Sequence, residues 1–130
     1  VRSNLGEAGC APVGTQPGRA LRLEGAWETQ VSQLLPATPG RLHVASAWMR
    51  GHSSPGNDAA LILVFLTADG RITGEYRTQT LPKGTSDWRT LLLAATAPAD
   101  AAWVSVGVAA IRQPAGDWLE AAAVELRVEE

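Results

Sequence analysis

Seven consecutive apolar residues, ALILVFL from Ala60 to Leu66, constrain the fold more than any other stretch of this chain. The run is too short to cross a membrane and shorter than most helices. Its Ile, Val and Phe favour a β-strand that is covered on both faces, and such a strand lies in the middle of a sheet. We therefore expect the other strands to flank it.

The residues before this run predict a strand joined to it by a turn. Leu42 to Arg50 follow a Pro-Gly break and mix small residues with one Trp. The connector from Gly51 to Asp58 consists of Gly, Ser, Pro, Asn and Asp with one His, which is typical of turns. After the apolar run, Asp69-Gly70 predicts a hairpin turn.

Polar and apolar residues alternate along most of the remaining chain, which is typical of strands. Further strands are predicted at 19–24, 26–35, 72–78, 88–94 and 102–111 and in the final stretch that ends at Val128. Within 102–111 the valines share one face and Trp103 lies on the other. In the final strand we expect Ala122, Val124, Leu126 and Val128 to point inward.

These segments predict an all-β protein with about eight strands, or nine with a short edge strand at the start of the chain. Two packed antiparallel sheets, most simply a jelly roll, accommodate that number. The length of 130 residues suits one domain. We expect residues 1–18, rich in Gly and Pro, to form an irregular N-terminal arm, and 19–130 to form the β-sandwich.

Composition excludes several classes of function. The formal net charge is −2 and no basic run occurs, which argues against a nucleic-acid partner. No apolar segment is long enough for membrane insertion. Cys10 is the single cysteine, so no internal disulfide is possible. We interpret it as an inert free thiol in the arm, with an intermolecular bridge as the alternative.

The order of landmarks resembles the jelly-roll carbohydrate-binding modules and galactose-binding-like domains of bacterial glycoside hydrolases, and the related domains of bacteriophage tail and virion proteins. The residues that carry the resemblance are RALRLEG (19–25), VSQLLPATPG (31–40), ASAWMRG (45–51), LILVFLTADG (61–70), DWRTLLL (87–93), APADAAWVSVGV (97–108) and AAAVEL (121–126). The resemblance covers about residues 19–128 and implies a jelly-roll fold and an extracellular or virion-surface location.

Two departures from that family concern a structural calcium ion. The Phe-Glu pair of the family's arm is absent, and Ala122 and Ala123 stand where relatives have acidic residues in the last strand. We therefore expect no calcium and no other cofactor, although Asp117 and Glu120 lie nearby. Several loops carry aspartates that could supply oxygen ligands to a calcium ion, but we favour the interpretation that they form turns. They are Asp58 with His52 nearby, Asp69, Asp87, Asp100 and Asp117.

Catalytic motifs are not found, and we expect no enzyme. His43 and His52 have no Ser or Cys motif between them, no cluster has zinc spacing, and no Gly-rich phosphate loop occurs.

Tryptophan is the unusual residue, with five present against one Phe and one Tyr. An aromatic ring stacks on the apolar C–H face of a pyranose, and the sugar hydroxyls then need polar side chains nearby. Alternation predicts core positions for Trp27 and Trp48, and the resemblance implies a packing role for Trp88. Trp118 suits core or rim equally. An outward Trp such as Trp103 is uncommon without a function.

A non-catalytic carbohydrate-binding module is the first hypothesis, with Trp103 and Tyr76 lining one concave sheet face or one loop-rimmed cleft. The candidate carbohydrate-binding residues are Trp103, Tyr76 and Trp48, with Arg50, Arg77 and Gln33 as hydrogen-bonding side chains. The expected partner is a polysaccharide or cell-surface glycan. The alternative is a structural or adhesive virion or filament domain whose arm contacts a neighbouring subunit.

Overall fold

The structure, a computed structural model, describes residues 2–4 and 20–129, and the side chains of 2–4 and 74–77 lie outside that description. The described residues form nine strands: β1 (Arg2–Asn4), β2 (Leu21–Glu24), β3 (Glu28–Pro36), β4 (Leu42–Ser53), β5 (Asp58–Leu66), β6 (Ile72–Thr80), β7 (Gly84–Thr96), β8 (Trp103–Ile111) and β9 (Trp118–Val128). The predicted strand count, including the short edge strand at the start, is confirmed.

The strands form two antiparallel sheets that pack face to face, which confirms the predicted β-sandwich. Sheet A has the order β1-β9-β4-β7, with β2 also paired to β9 beside β1. Sheet B has the order β3-β8-β5-β6. The strands β4 and β5, which the predicted turn joins, lie in different sheets, so this turn crosses from one sheet to the other.

The apolar run lies where the sequence predicted, in β5 between β8 and β6. Leu61, Leu63 and Phe65 point between the sheets and are fully buried in the main core. Ile62 and Val64 point to the outer face of sheet B and are also buried, within a second and smaller apolar cluster. Both faces of the strand are therefore covered, which explains why its residues do not alternate.

A bulge in β9 contradicts the predicted facing of Ala122. The register between β9 and β4 shifts between Ser46 and Trp48, and Ala123 has a φ of 52°. The extra residue changes the phase of the strand. Val124 and Leu126 point into the core as predicted, but Ala122 pairs with Trp48 on the outer face of sheet A.

The core position predicted for Trp27 is also wrong, because its side chain is 62% exposed. The strand begins only at Glu28, so the alternation of β3 does not extend to Trp27. Its carbonyl accepts the backbone N–H groups of Arg112 and Gln113 and so ties the start of β3 to the β8–β9 loop.

The arm enters the fold through β1, which pairs with the edge of β9 through Arg2–Arg127, Ser3–Leu126 and Asn4–Glu125. Strand β2 pairs with the same edge of β9 nearer its start. Cys10 and the rest of the predicted arm lie outside the described residues. The described residues include no helix long and apolar enough to cross a membrane.

Candidate functional site

Three tryptophans share the outer face of sheet A, one each on β4, β7 and β9. Trp48 and Trp88 stack with ring centroids 5.8 Å apart and planes 9° from parallel. The guanidinium of Arg50 lies 4.7 Å from the centroid of Trp88 and 5.8 Å from that of Trp118.

Arg22, on β2, extends this series of contacts to the edge of the sheet. Its guanidinium lies 4.6 Å from the centroid of Trp118. We call the series Trp48, Trp88, Arg50, Trp118 and Arg22 the Trp–Arg ladder. Each cation–π contact contributes about 0.5–2 kcal/mol, depending on how far the guanidinium is desolvated.

Glu120 holds the two arginines of the ladder in place. Its Oε1 accepts a 2.8 Å hydrogen bond from Arg50 Nε, and its Oε2 accepts a 2.7 Å bond from Arg22 Nη1. Burial alone would raise the pKa of Glu120, but the two guanidinium groups together lower it below its usual value. The bonds from Glu120 and Glu24 raise the pKa of Arg22. The charges of the ladder are therefore matched within the protein.

The strand register explains why these residues meet. Glu120 lies opposite Arg50 of β4 on one side and opposite Arg22 of β2 on the other. The β9 bulge then places the small Ala122 opposite Trp48, which leaves room for an indole. The ladder thus depends on contacts between residues up to 98 positions apart in the chain.

The ladder contains two of the predicted carbohydrate-binding residues, Trp48 and Arg50. Both are partly buried, and each has a ring contact within the protein. The indole Nε1 atoms of Trp48 and Trp88 are buried and have no hydrogen-bond partner among the described residues. The core position that alternation predicted for Trp48 is wrong, because Trp48 lies on the outer face of sheet A, opposite the phase of the core residues Ala47 and Met49. Its indole stacks there on Trp88, for which the resemblance implied a packing role.

The outer face of sheet B carries Trp103, whose side chain is 37% exposed. One cross-strand row places Pro36, Trp103, Leu66 and Ile72 side by side on β3, β8, β5 and β6. Among the described side chains, Trp103 has no ring contact and no cation–π contact of the kind that forms the ladder. Its position opposite the buried valines agrees with the alternation of β8.

Small residues follow Trp103 along the same face of β8, namely Ser105, Gly107 and Ala109. Strand β3 approaches so closely that a Cβ on Gly107 would collide with the carbonyl oxygen of Val31. Beyond them lies a cleft of about 340 Å³. It is lined by Glu28, Thr29, Gln30, Ile62, Ala109, Ala110 and Ile111.

The other predicted site residues are distributed as follows. Tyr76 and Arg77 lie on β6, where their Cα atoms pair with Val64 and Leu63, and their side chains are outside the description. Gln33 pairs with the core residue Val106, so it lies on the inner side of the edge strand β3 and is half-buried. Of the six predicted residues, the structure brings together Trp48 and Arg50 in the ladder.

Sequence reasoning missed Trp118, Glu120 and Arg22 as partners of that pair. Arg22 and Glu120 each occupy the polar phase of an alternating strand, which was the available signal. The pattern could not reveal that both strands pair with each other and lie on the face of Trp48.

Asp117 is the buried carboxylate among the loop aspartates, and three hydrogen bonds occupy it. The backbone N–H and the hydroxyl of Ser54 donate at 2.7 and 2.8 Å, and Asn57 Nδ2 donates at 2.8 Å. Burial would raise the pKa of Asp117, but these donors lower it below its usual value. The carboxylate thus ties the β4–β5 and β8–β9 loops together. The described part of the chain contains no group of three or more metal-ligating side chains.

Comparisons with sequences return nothing, because no protein-family model and no curated protein matches this chain. Comparisons with solved structures return several. The enzymatically active domain of bacteriophage CBA120 tailspike protein 4 matches with a TM-score of 0.71 at 12% identity. The match covers 98% of this chain but 19% of the tailspike chain, so the chain spans about a fifth of that structure.

Two carbohydrate-binding modules are also similar. A family 16 module matches with a TM-score of 0.63 at 19% identity, over 97% of this chain and 84% of the module. The module TmCBM61, solved with β-1,4-galactotriose, matches with a TM-score of 0.59 at 17% identity, over 85% of this chain and 69% of that one. At these identities the likeness establishes the fold, and it confirms the jelly-roll fold that the resemblance implied.

Proposed function

We propose that this protein is a non-catalytic carbohydrate-binding module that binds an extracellular or virion-associated glycan on the outer face of sheet B. Trp103 is the stacking residue, and Tyr76 on the neighbouring part of the same sheet is the second aromatic. The observation that carries the proposal is the exposed Trp103 ring, which has no aromatic or cationic partner among the described side chains.

Sheet B supports this assignment better than sheet A. A sugar ring needs a free aromatic face, because its C–H groups must contact the π-system directly. Arginine or a second indole already occupies at least one face of Trp48, Trp88 and Trp118. Trp48 and Arg50, which the sequence suggested as binding residues, therefore belong to the ladder in this proposal.

The similar structures add support of a general kind. Several are named as carbohydrate-binding modules, and one was solved with a bound galactotriose. A jelly roll supports many functions, so the fold alone favours carbohydrate binding without establishing it.

A glycan array with the purified domain tests the proposal, with Trp103→Ala as the variant and Leu92→Ala as the control. Leu92 is 57% exposed on the outer face of sheet A, away from the proposed site. We expect saturable binding that Trp103→Ala weakens by about tenfold or more and that Leu92→Ala retains. Melting temperatures of all three proteins establish that each is folded.

Two results would overturn the proposal. One is the absence of binding to any glycan by the folded protein. The other is equal binding by Trp103→Ala and the parent protein. A Trp103→Phe variant should recover part of the binding, since the smaller ring still presents an apolar face.

A structural role in a virion is the second candidate, and the similarity to a bacteriophage tailspike domain over 98% of the chain favours it. In that role the arm would contact a neighbouring subunit. Self-association that is lost when residues 1–18 are removed would support it, and a monomer at all concentrations would exclude it.

A further inference from the structure

The cleft at the far end of the outer face of sheet B combines an apolar floor with a polar wall. Ile62 and Ala109, which are 2% and 3% exposed, form the floor with the half-buried Ile111, while Glu28 and Gln30 contribute a carboxylate and an amide. A pyranose presents the same combination, with an apolar ring face and a rim of hydroxyl groups. The volume of about 340 Å³ lies within the usual range for small-molecule sites.

An exposed tryptophan stands one residue before the cleft in the chain. Trp27 directly precedes the lining residue Glu28, and its side chain is 62% exposed. No ring or cation–π contact engages it among the described side chains. An indole this exposed presents apolar surface to water, and a bound sugar would cover that surface.

The backbone beside the cleft is strained. Arg112, which follows the lining residue Ile111, has a φ of 60°, a conformation that non-glycine residues rarely adopt. Its N–H donates to the Trp27 carbonyl, so the strained residue fixes the start of β3. Next to it, Gln113 accepts the Ala26 N–H at 2.9 Å, while its Nε2 is buried without a partner among the described residues. These backbone hydrogen bonds therefore fix the position of the Trp27 backbone.

We propose that the cleft and Trp27 form a second carbohydrate subsite, which takes an uncharged sugar ring of the same linear chain that stacks on Trp103. This inference rests on the proposed function of the sheet B face. Glu28 is the charged side chain that lines the cleft, and its carboxylate repels a uronic acid or sulfated sugar but accepts hydrogen bonds from hydroxyl groups.

The spacing of the two subsites predicts how binding depends on chain length. Glu28 and Ile111 pair at the cleft end of β3 and β8, and Pro36 and Trp103 pair eight residues further along. At about 3.3 Å per residue the two ends lie about 26 Å apart. A single sugar reaches one subsite, whereas a long oligosaccharide reaches both and gains the effective concentration of a tethered ligand.

Calorimetric titration with β-1,4-linked gluco-, galacto- and xylo-oligosaccharides of increasing length tests this. The proteins are the parent, Trp27→Ala, Gln30→Ala and Trp103→Ala. We expect affinity to rise with length until the chain spans both ends. We expect Trp27→Ala and Gln30→Ala each to weaken long ligands about three- to tenfold and to leave short ligands that bind at Trp103 unaffected.

The outcomes separate this inference from the proposed function. If short and long oligosaccharides bind equally and only Trp103→Ala weakens them, the second subsite is refuted and the proposed function stands. If no oligosaccharide or polysaccharide binds to any folded variant, the proposed function itself fails. Tighter binding to polygalacturonate than to neutral polymers would refute the preference for uncharged sugars. Acrylamide quenching of tryptophan fluorescence provides a second readout. In the parent protein a long ligand should protect Trp27 from quenching, whereas a short ligand should not.

Discussion

On the outer face of sheet A, Trp48, Trp88 and Trp118 contact one another or arginine, whereas on the outer face of sheet B Trp103 has no such contact among the described side chains. Both faces belong to the same sandwich, and both carry tryptophan on regular strands. They differ in what occupies the ring faces. On sheet A the protein supplies the partners itself, and on sheet B the Trp103 ring remains partly exposed.

The number of tryptophans on a face is therefore a poor guide to ligand binding. Sheet A has the larger number, yet its rings are half-buried and its charges are paired through Glu120. A stacked ring gains its contact energy on folding and has little left to gain from a ligand. We therefore expect substitutions on sheet A to change stability and those on sheet B to change binding.

Trp88→Ala should have the largest effect, because it removes the indole that contacts both Trp48 and Arg50. We expect the free energy of unfolding to fall by about 3 kcal/mol, as for other large-to-small changes at packed aromatic residues. Urea denaturation at neutral pH measures this change.

Trp27→Ala is the matched control, since its side chain is 62% exposed. We expect that substitution to cost less than about 1 kcal/mol. Equal losses in the two variants would show that ladder contacts contribute nothing beyond ordinary surface packing, and the distinction between the faces would fail.

Glu120→Ala should have the next largest effect, because it releases both arginines of the ladder. Its side chain is 16% exposed, against 29% for Arg50 and 42% for Arg22, so solvent screens the pairs in part. We expect a loss of about 1–2 kcal/mol, which lies between the values for surface and buried ion pairs.

Glu129→Ala removes a carboxylate from an exposed pair with Arg127 and is the control for Glu120→Ala. We expect it to cost less than about 0.5 kcal/mol. Denaturation at low and high salt distinguishes the two pairs further, because the contribution of an exposed ion pair falls more with salt. If both variants lose the same stability, Glu120 does not organise the ladder.

The sheet B face could be predicted from the sequence because its information is local. The apolar run predicted that β5 is covered on both faces and lies in the middle of a sheet. The valine row of β8 predicted that Trp103 points outward. Both patterns lie within single strands, where a period of two residues states which side chains share a face. The burial of Val104 and Val106 and the exposure of Trp103 agree with that pattern.

The ladder could not be predicted because its information is distributed. It needs β2 and β4 to pair with β9 on its two sides, β7 to pair with β4, and a bulge at Ala123. A bulge changes the phase of a strand without any consistent residue signature, so Ala122 was assigned to the wrong face. Trp27 was misassigned for a related reason, since alternation does not reveal where a strand begins.

Lowering the pH should destabilise the core that lies between the two faces, through His43. This histidine is fully buried on the inner face of sheet A, with its ring centroid 5.1 Å from that of Phe65 in sheet B. Its Nδ1–H donates to the Arg41 carbonyl at 2.9 Å, and its Nε2 accepts the Thr38 N–H at 3.3 Å. Burial lowers the pKa of His43, although the bond to Arg41 opposes the shift.

A lowered pKa means that the folded state favours the neutral ring. The stability that depends on it is therefore complete above the unfolded pKa of about 6.5 and is lost as the pH falls through the lower folded value. We expect the urea midpoint to fall between neutral and mildly acidic pH, and both faces to unfold together. A His43→Gln variant should show a flatter pH profile in that window. An unchanged profile in the variant would assign the pH dependence to other groups.

The smallest effect on stability, and the sharpest test of the comparison, comes from two exposed leucines. Leu34 on sheet B is 54% exposed and Leu92 on sheet A is 57% exposed, so each change to Ser removes a similar amount of apolar surface from water. We expect each variant to change the free energy of unfolding by less than about 0.5 kcal/mol. Leu34→Ser should weaken glycan binding, because Leu34 lies one row from Trp103 on the same face. Leu92→Ser should bind like the parent, since a residue of equal exposure on the opposite sheet has no part in the site. Weaker binding by Leu92→Ser, with Leu34→Ser unaffected, would place the ligand on sheet A and reverse the roles of the two faces.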